Sequence, residues 1–319
     1  MRFLQVTELE GRYVAALSEV ERPVPREGEV LVRVAASGVN RADLLQIAGR
    51  YPPPPGEPDI IGMELSGTTD GTGEAVCALV AGGGHAEYVA APAGQVFPAP
   101  AALDLVTAAG IPEAFLTAFV TLVMEGGLRR SETLLVHAGA SGVGLAAIQL
   151  GKLVGARVAA TTRTSEKLAA LERAGADLAI DAGRHEFAER IEEGWGRDAV
   201  DVVLDPIGAP SLSANMRVLA TGGRVVVIAT MAGARAEVDL ALLMRKRARL
   251  LASTLRARSR AEKGAIVARF RREILPGFTS GELRVPVDSV FPAHRAAEAF
   301  QRMRENRNVG KILIAWPRD

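Results

Sequence analysis

The stretch ETLLVHAGASGVGLAAIQLGKLVGARVAATTRTSEK, residues 132–167, leaves few folds open to this chain. A short apolar run, Thr133 to Val136, reads as a buried strand, and a turn of small residues, His137-Ala-Gly-Ala-Ser-Gly-Val-Gly144, follows it. Apolar residues then recur at helical spacing (Val143, Ala146, Ala147, Leu150, Leu153, Val154), Gly155 stops the helix, and Arg157 to Thr161 reads as the next strand. Strand, small-residue turn, helix and strand in that order make a βαβ unit, and such a turn suits a dinucleotide. The small residues let the backbone approach a pyrophosphate, while the helix start offers oriented N–H groups and a partial positive charge. Gly139, Ala140, Ser141, Gly142, Val143 and Gly144 are the expected cradle. The glycine spacing departs from G-x-G-x-x-G, and a tight turn without a ligand is the plain alternative; the complete βαβ context argues against it.

The tip of the second strand bears on which dinucleotide. A site for NAD usually carries an acid about 20 residues past the glycines, where it accepts the ribose 2′-hydroxyl. Here that place reads Thr161-Thr162-Arg163-Thr164-Ser165-Glu166-Lys167, with no acid at the strand tip and with Arg163 and Lys167 flanking hydroxyls. Cations at a helix start oppose its dipole, and a bound 2′-phosphate would make the cluster favourable. NADPH is therefore expected, held by Thr162, Arg163 and Lys167; a solvated basic face is the bland reading.

The rest of the chain excludes several classes. It has 319 residues, room for two domains, and a net charge of +1 with both signs dispersed, so neither nucleic acid nor an anionic membrane is an evident partner. Cys77 is the single cysteine, which rules out an internal disulfide and a cysteine-rich zinc lobe. No apolar run approaches membrane length and the first residues lack an apolar signal core, so a cytoplasmic location is expected.

Up to about Ala102 the pattern is strand and turn, with one short helix at about Asn40 to Ala48 and then Gly49-Arg-Tyr-Pro-Pro-Pro-Pro-Gly56. Leu105 to Leu122 reads as a linking helical stretch. Beyond the fingerprint, strands at residues 177–180, 199–204, 223–229 and 250–255 alternate with helices, the pattern of a doubly wound parallel sheet. The expected fold class is thus α/β: a β-rich domain of residues 1–118 and 255–319 for the substrate, and a Rossmann domain of residues 119–254 for the nucleotide.

Particular strings sharpen this. Ala36-Ser-Gly-Val-Asn-Arg-Ala-Asp43, Gly62-Met-Glu64, Ile111-Pro-Glu-Ala-Phe-Leu-Thr-Ala118, Ile274-Leu-Pro-Gly-Phe278 and Asn308-Val-Gly-Lys-Ile312, with the fingerprint and the proline loop, resemble zinc-free quinone oxidoreductases of the zeta-crystallin type. These belong to the medium-chain dehydrogenase/reductase superfamily, whose first domain is GroES-like. The HAGxSGVG turn is most similar to the tumour-suppressor-induced branch.

The resemblance carries expectations. Zinc alcohol dehydrogenases of this superfamily place Cys and His where this chain has Asn40 and Met63, and the four histidines form no set of tetrahedral ligands, so no metal is expected. The acceptor would lie by Tyr51 and Asn40, with Tyr51 hydrogen-bonding its oxygen or donating a proton; Tyr51 as a packed loop aromatic and Asn40 as a helix cap are the structural alternatives. The cofactor would also meet Asn40, Thr117, Ile228, Thr230, Leu255, Arg256, Asn308 and Lys311, although Arg256 and Lys311 also read as surface charges. The implied activity is NADPH-dependent quinone reduction by a homodimer, its edge strand being residues 250–255 or 223–229. Reduction of an enone or enoyl C=C bond, or a weakly catalytic NADPH-binding protein, are the rivals.

Overall fold

The computed structural model describes residues 1–317, which divide into two compact units: Met1–Leu116 together with the chain from Leu255 onward, and Thr117–Thr254.

The second unit is built on a parallel sheet of six strands. From edge to edge they are Leu178–Asp181, Arg157–Thr162, Thr133–Val136, Val200–Asp205, Leu219–Val227 and Arg249–Ala252. The order steps outward from the fingerprint strand in both directions, which places the turn after Val136 at the point where the winding reverses, the usual ligand position in such sheets. Leu134, Leu135, Val158, Ala159, Val202 and Val203 are fully buried, which explains why these strands read as continuous apolar runs rather than alternating ones. The strand expected at 223–229 instead begins at Leu219. Its pairing with the neighbouring strand slips between Val200 and Val202, and Gly222, at φ +81°, accommodates the extra residues. Because that strand is paired on both sides, only Arg249–Ala252 of the two expected edges is a true edge.

The linking helical stretch is not continuous. Leu105–Ala108 is one turn, Pro112–Phe119 is a helix, and Val120–Glu125 is a π-helical turn. Proline lacks an N–H and has its φ preset, so Pro112 starts the second helix at little cost.

In the first unit a hairpin, Arg2–Leu9 and Arg12–Glu19, turns through Glu10 and Gly11, both at positive φ, as a tight two-residue turn requires. A seven-stranded sheet follows, in the order Val287–Pro292, Lys311–Ala315, Glu29–Val39, Glu64–Thr69, Ala75–Leu79, Val96–Pro98, with Tyr88–Pro92 also pairing with Glu29–Val39. Val32, Val39, Leu65, Phe300 and Ile314 lie in its core. Two registers matter for function. Ile312 stands opposite Val39, which brings Lys311 beside Asn40, and Leu65 stands opposite Ser37, which brings Glu64 beside Gly38. Three residues distant in the chain thus meet at one end of the sheet. Among the described residues no helix is long and apolar enough to cross a membrane.

Candidate active site

At that end of the sheet the first unit buries an ion pair. Lys311 and Glu64 are 2% and 0% exposed, and Lys311 Nζ donates to Glu64 Oε1. The same ammonium donates to Asn40 Oδ1 at 2.6 Å and to the Val39 carbonyl at 3.2 Å, which uses its three protons. Asn40 Nδ2 donates to Glu64 Oε1 at 2.8 Å and to the Gly38 carbonyl at 3.2 Å. Glu64 Oε2 accepts the backbone N–H of Glu113 at 2.8 Å. The carboxylate fits only because residue 38 is glycine, since a Cβ there would lie 2.2 Å from Glu64 Oε1. A buried charge is tolerable when paired and hydrogen-bonded in this way, and breaking one partner of such a pair costs about 3–5 kcal/mol.

Two expectations change here. Lys311 is not a surface charge, and it has no N–H left for a cofactor. Asn40 does precede the helix Arg41–Ile47, its backbone N–H donating to Asp43 Oδ2 at 2.7 Å, but both its amide protons are engaged. What Asn40 can offer a ligand is a lone pair on Oδ1, an acceptor for a hydroxyl, and not a donor to a carbonyl oxygen.

Tyr51 differs. Its ring is partly buried in the proline loop, and among the described residues its hydroxyl has no hydrogen-bond partner. Arg256 holds the loop: Nη1 donates to the Tyr51 carbonyl at 2.9 Å, Nε to the Ala81 carbonyl at 2.7 Å and Nη2 to Gln46 Oε1 at 2.6 Å. Its guanidinium lies 5.1 Å from the Tyr51 ring centroid. Arg256 is therefore buried (5% exposed) and shapes the Tyr51 loop, where the sequence alone also allowed a surface charge. Burial and then the nearby Glu113 raise the Tyr51 phenol above its ordinary value, and Arg256 opposes them. Lys263 Nζ donates to the Arg256 carbonyl at 3.1 Å, and its own pKa is lowered by burial.

Glu113 is the residue that sequence reasoning missed. It lies in the first turn of Pro112–Phe119, where the helix dipole ordinarily favours a carboxylate. Burial and the charge of Glu64 outweigh that, and its pKa is pushed up to about 7. Only the string Pro112-Glu113 at a helix start was visible, and nothing in it disclosed that Glu64 would lie alongside. Of the other expected residues in this unit, Leu255 is buried, and buried Asn308 donates from Nδ2 to the Gly310 carbonyl at 2.9 Å.

In the second unit, the fingerprint turn, Thr162 with its loop, and Ile228 with Thr230 all follow the carboxyl ends of parallel strands. The helix Gly142–Val154 is capped by Ser141, whose Oγ accepts from Gly144 N at 3.0 Å. The N–H groups of Gly142 and Val143, which no earlier turn can satisfy, stay open for an anion. A Cβ on Gly144 would lie 2.5 Å from the Ala138 carbonyl, so this position needs glycine for the turn to close. Ala138 itself sits at φ +50°, a conformation that favours glycine. Arg163 is exposed and Lys167 partly buried. An acid does stand nearby, Asp181 on the adjacent edge strand, but Ser165 Oγ (2.6 Å) and Gly183 N (2.9 Å) occupy its two oxygens. Those bonds, the serine's first, hold its pKa low. Thr117 is partly buried on the helix Pro112–Phe119.

These residues do not fit zinc. Where zinc enzymes of this fold place soft or imidazole ligands, the chain has a carboxamide and a buried thioether, Met63, and the neighbouring Glu64 is neutralised by Lys311. Among the described residues no group of three or more His, Cys, Asp or Glu side chains could hold a metal.

Known proteins bear on both units. Residues 26–101 match the family described as alcohol dehydrogenase GroES-like domain, and residues 142–269 match zinc-binding dehydrogenase. A quinone oxidoreductase of Lama guanicoe is 28% identical, over 98% of this chain and 97% of its own. The quinone oxidoreductase from Thermus thermophilus, solved alone and with NADPH, is 34% identical with a TM-score of 0.86, covering 99% of this chain and 100% of that one. A crystallised NAD-dependent alcohol dehydrogenase is 27% identical at a TM-score of 0.84, covering 99% of each chain. On these matches, and on the two folds described above, the chain belongs to the medium-chain dehydrogenase/reductase superfamily and is one of its nicotinamide-dependent oxidoreductases.

Proposed function

We propose that this protein reduces quinones with NADPH, without a metal, and that it belongs to the tumour-suppressor-induced branch of the zinc-free quinone oxidoreductases. The observation that carries the reading is the Tyr51 hydroxyl: it is the one group of the Tyr51–Asn40–Lys311 set with a proton still to give, since the other donors are bound within the protein. Bound NADPH supplies a hydride from nicotinamide C4; a quinone accepts it readily and then needs only a proton, so no Lewis acid is required. The amides of Gly142 and Val143 hold the pyrophosphate, and Arg163 with Lys167 takes the 2′-phosphate. The cofactor choice rests on that basic loop and on Asp181 being engaged, because solved proteins of this fold use both nucleotides. Asn40 Oδ1 accepts from a hydroxyl of the bound ligand, and Tyr51 donates to the acceptor oxygen.

The reading is supported by the names of the relatives and by the HAGASGVG turn. A homodimer would form by pairing the edge strand Arg249–Ala252 with its copy. The test is NADPH oxidation by the purified, chelator-treated protein with 1,2-naphthoquinone and, in parallel, with an enone. Rapid quinone-dependent oxidation that prefers NADPH to NADH supports the proposal. Turnover with the enone alone moves the reaction to C=C reduction, and NADPH binding without turnover on either leaves a non-catalytic binding protein.

A further inference from the structure

The sheet of the second unit reverses its winding between Thr133–Val136 and Val200–Asp205, so two turns flank the crevice there: the fingerprint turn and residues 206–208. A buried hydrogen-bond chain joins them. Asp205 is fully buried and, among the described residues, has no cationic partner. Ile207 N (2.7 Å) and Gly208 N (3.0 Å) donate to its Oδ1, and Ser211 Oγ (2.6 Å) and Asn215 Nδ2 (2.8 Å) donate to its Oδ2. Four donors suit a carboxylate, which only accepts. The amide nitrogen of Asn215 must therefore face Asp205, which turns Asn215 Oδ1 to His137 Nε2 at 2.7 Å. Burial lowers the His137 pKa, with Asp205 and Asn215 opposing, so the ring is neutral and carries one proton. Its acceptor neighbour requires that proton on Nε2, and Nδ1 is left to accept from Thr161 Oγ1 at 3.0 Å. One charge thus sets the direction of every bond in the chain.

Both ends of this chain hold backbone just beyond strand ends, where such sheets take ligands. His137 opens the fingerprint turn; its N–H donates to the Leu204 carbonyl at 3.1 Å, and Gly139 N donates to the Thr161 carbonyl at 2.7 Å. At the other end, the turn clamped by Asp205 carries the loop at 228–233. Ile228 N donates to the Asp205 carbonyl at 2.9 Å, Met231 N to that of Pro206 at 3.2 Å and Ala232 N to that of Ile207 at 3.0 Å. Gly208 sits at φ +89°, and a Cβ there would lie 2.5 Å from the Gly233 carbonyl, so turn and loop touch backbone to backbone.

We propose that Asp205 is the positioning residue of the dinucleotide crevice. Through Asn215 it sets the tautomer of His137 and so fixes the fingerprint turn, while its other oxygen fixes the turn that carries the 228–233 loop. The inference rests on the NADPH part of the reading above and is independent of the acceptor. Asp205 touches no nucleotide in this scheme. A crevice ordered before its ligand arrives loses no loop entropy on binding, so loosening either turn weakens the dinucleotide.

The experiment is ¹⁵N-histidine NMR of the full chain, with NADPH affinity from fluorescence titration, in the wild type, Asp205→Asn, and the exchange Asp205→Asn with Asn215→Asp. The wild-type His137 ring, assigned by the signal lost in His137→Gln, should carry its proton on Nε2. In Asp205→Asn the new amide keeps its oxygen toward the Ile207 and Gly208 N–H groups and presents its own N–H groups to Asn215. Asn215 then turns its oxygen to position 205 and its amide protons to His137. The ring proton should move to Nδ1, and NADPH should bind about tenfold more weakly. The exchange returns a carboxylate opposite His137 Nε2, with the amide at 205 donating to it. It should restore the Nε2–H tautomer and bring NADPH affinity to within about twofold of the wild type. An exchange variant that folds and restores neither overturns the proposal, as does Asp205→Asn binding NADPH as tightly as the wild type. A wild-type ring protonated on Nδ1 overturns it with no variant needed. A protein that binds NADPH and reduces no quinone overturns the reductase reading alone, and one that binds no dinucleotide overturns both.

Discussion

The fingerprint turn of the second unit and the Asn40–Glu64–Lys311 cluster of the first prepare the chain for charge in opposite ways. The turn carries no formal charge of its own: it leaves two amides open at a helix start, capped by Ser141 and closed by Gly144. The cluster carries full charges and spends them internally, with every proton of Lys311 bound to protein. Open amides await a ligand and cost little while they face water. Buried ions must be satisfied before any ligand arrives, because an unpaired one would destabilise the fold. The first arrangement suits an anionic ligand, and the second is satisfied within the protein, so of the Tyr51–Asn40–Lys311 set only the Tyr51 hydroxyl has no partner among the described residues.

The comparison breaks most visibly at Lys311. Lys311→Met strands the Glu64 charge and should cost about 3–5 kcal/mol in denaturant unfolding, whereas Glu64→Gln combined with Lys311→Met should recover much of that loss. A single variant as stable as the wild type would mean that the pair is not buried as described. Next comes Glu113. Its pKa is raised in the folded state, so the folded protein holds a proton that the unfolded chain has lost between pH 4.5 and 7, and stability falls as pH rises through that window. Screening at its partly exposed site brings the penalty above pH 7 to about 2 kcal/mol. Glu113→Gln should flatten that slope, which urea titrations at pH 5 and pH 8 would detect.

In the second unit the expected effects are smaller. Arg163→Ala should raise the KM for NADPH about tenfold and leave that for NADH nearly unchanged, as loss of one exposed phosphate contact implies. Equal effects on both nucleotides would remove the 2′-phosphate from the account. Ala138→Gly should stabilise the protein by about 1 kcal/mol, because alanine is held at φ +50°. Thermal unfolding would show it as a small rise in midpoint.

The two regions also differ in how far the sequence disclosed them. The fingerprint turn is local: strand, turn, helix and strand lie within 36 residues, and periodicity with glycine placement was enough to find them. The cluster draws on residues 40, 64 and 311, which meet through the sheet registers Ile312 with Val39 and Leu65 with Ser37, and Arg256 reaches the Tyr51, Ala81 and Gln46 positions from another part of the chain. No periodicity carries such a register, so Lys311 and Arg256 could be read as surface charges and Glu113 passed unnoticed. Asn40 and Tyr51 were found only through the family resemblance. The strand starting at Leu219 was misjudged for a related reason, since a slipped pairing with a glycine at positive φ is a tertiary feature.

The most direct test of the central claim, that Tyr51 is the proton donor of a metal-free reductase, is kcat for NADPH-dependent naphthoquinone reduction in Tyr51→Phe after exhaustive chelation. The account predicts a loss of about 10²-fold or more in kcat with NADPH affinity unchanged, in a wild type that the chelator leaves fully active. A Tyr51→Phe variant turning over at the wild-type rate, or a wild type silenced by the chelator and restored by zinc, would contradict it.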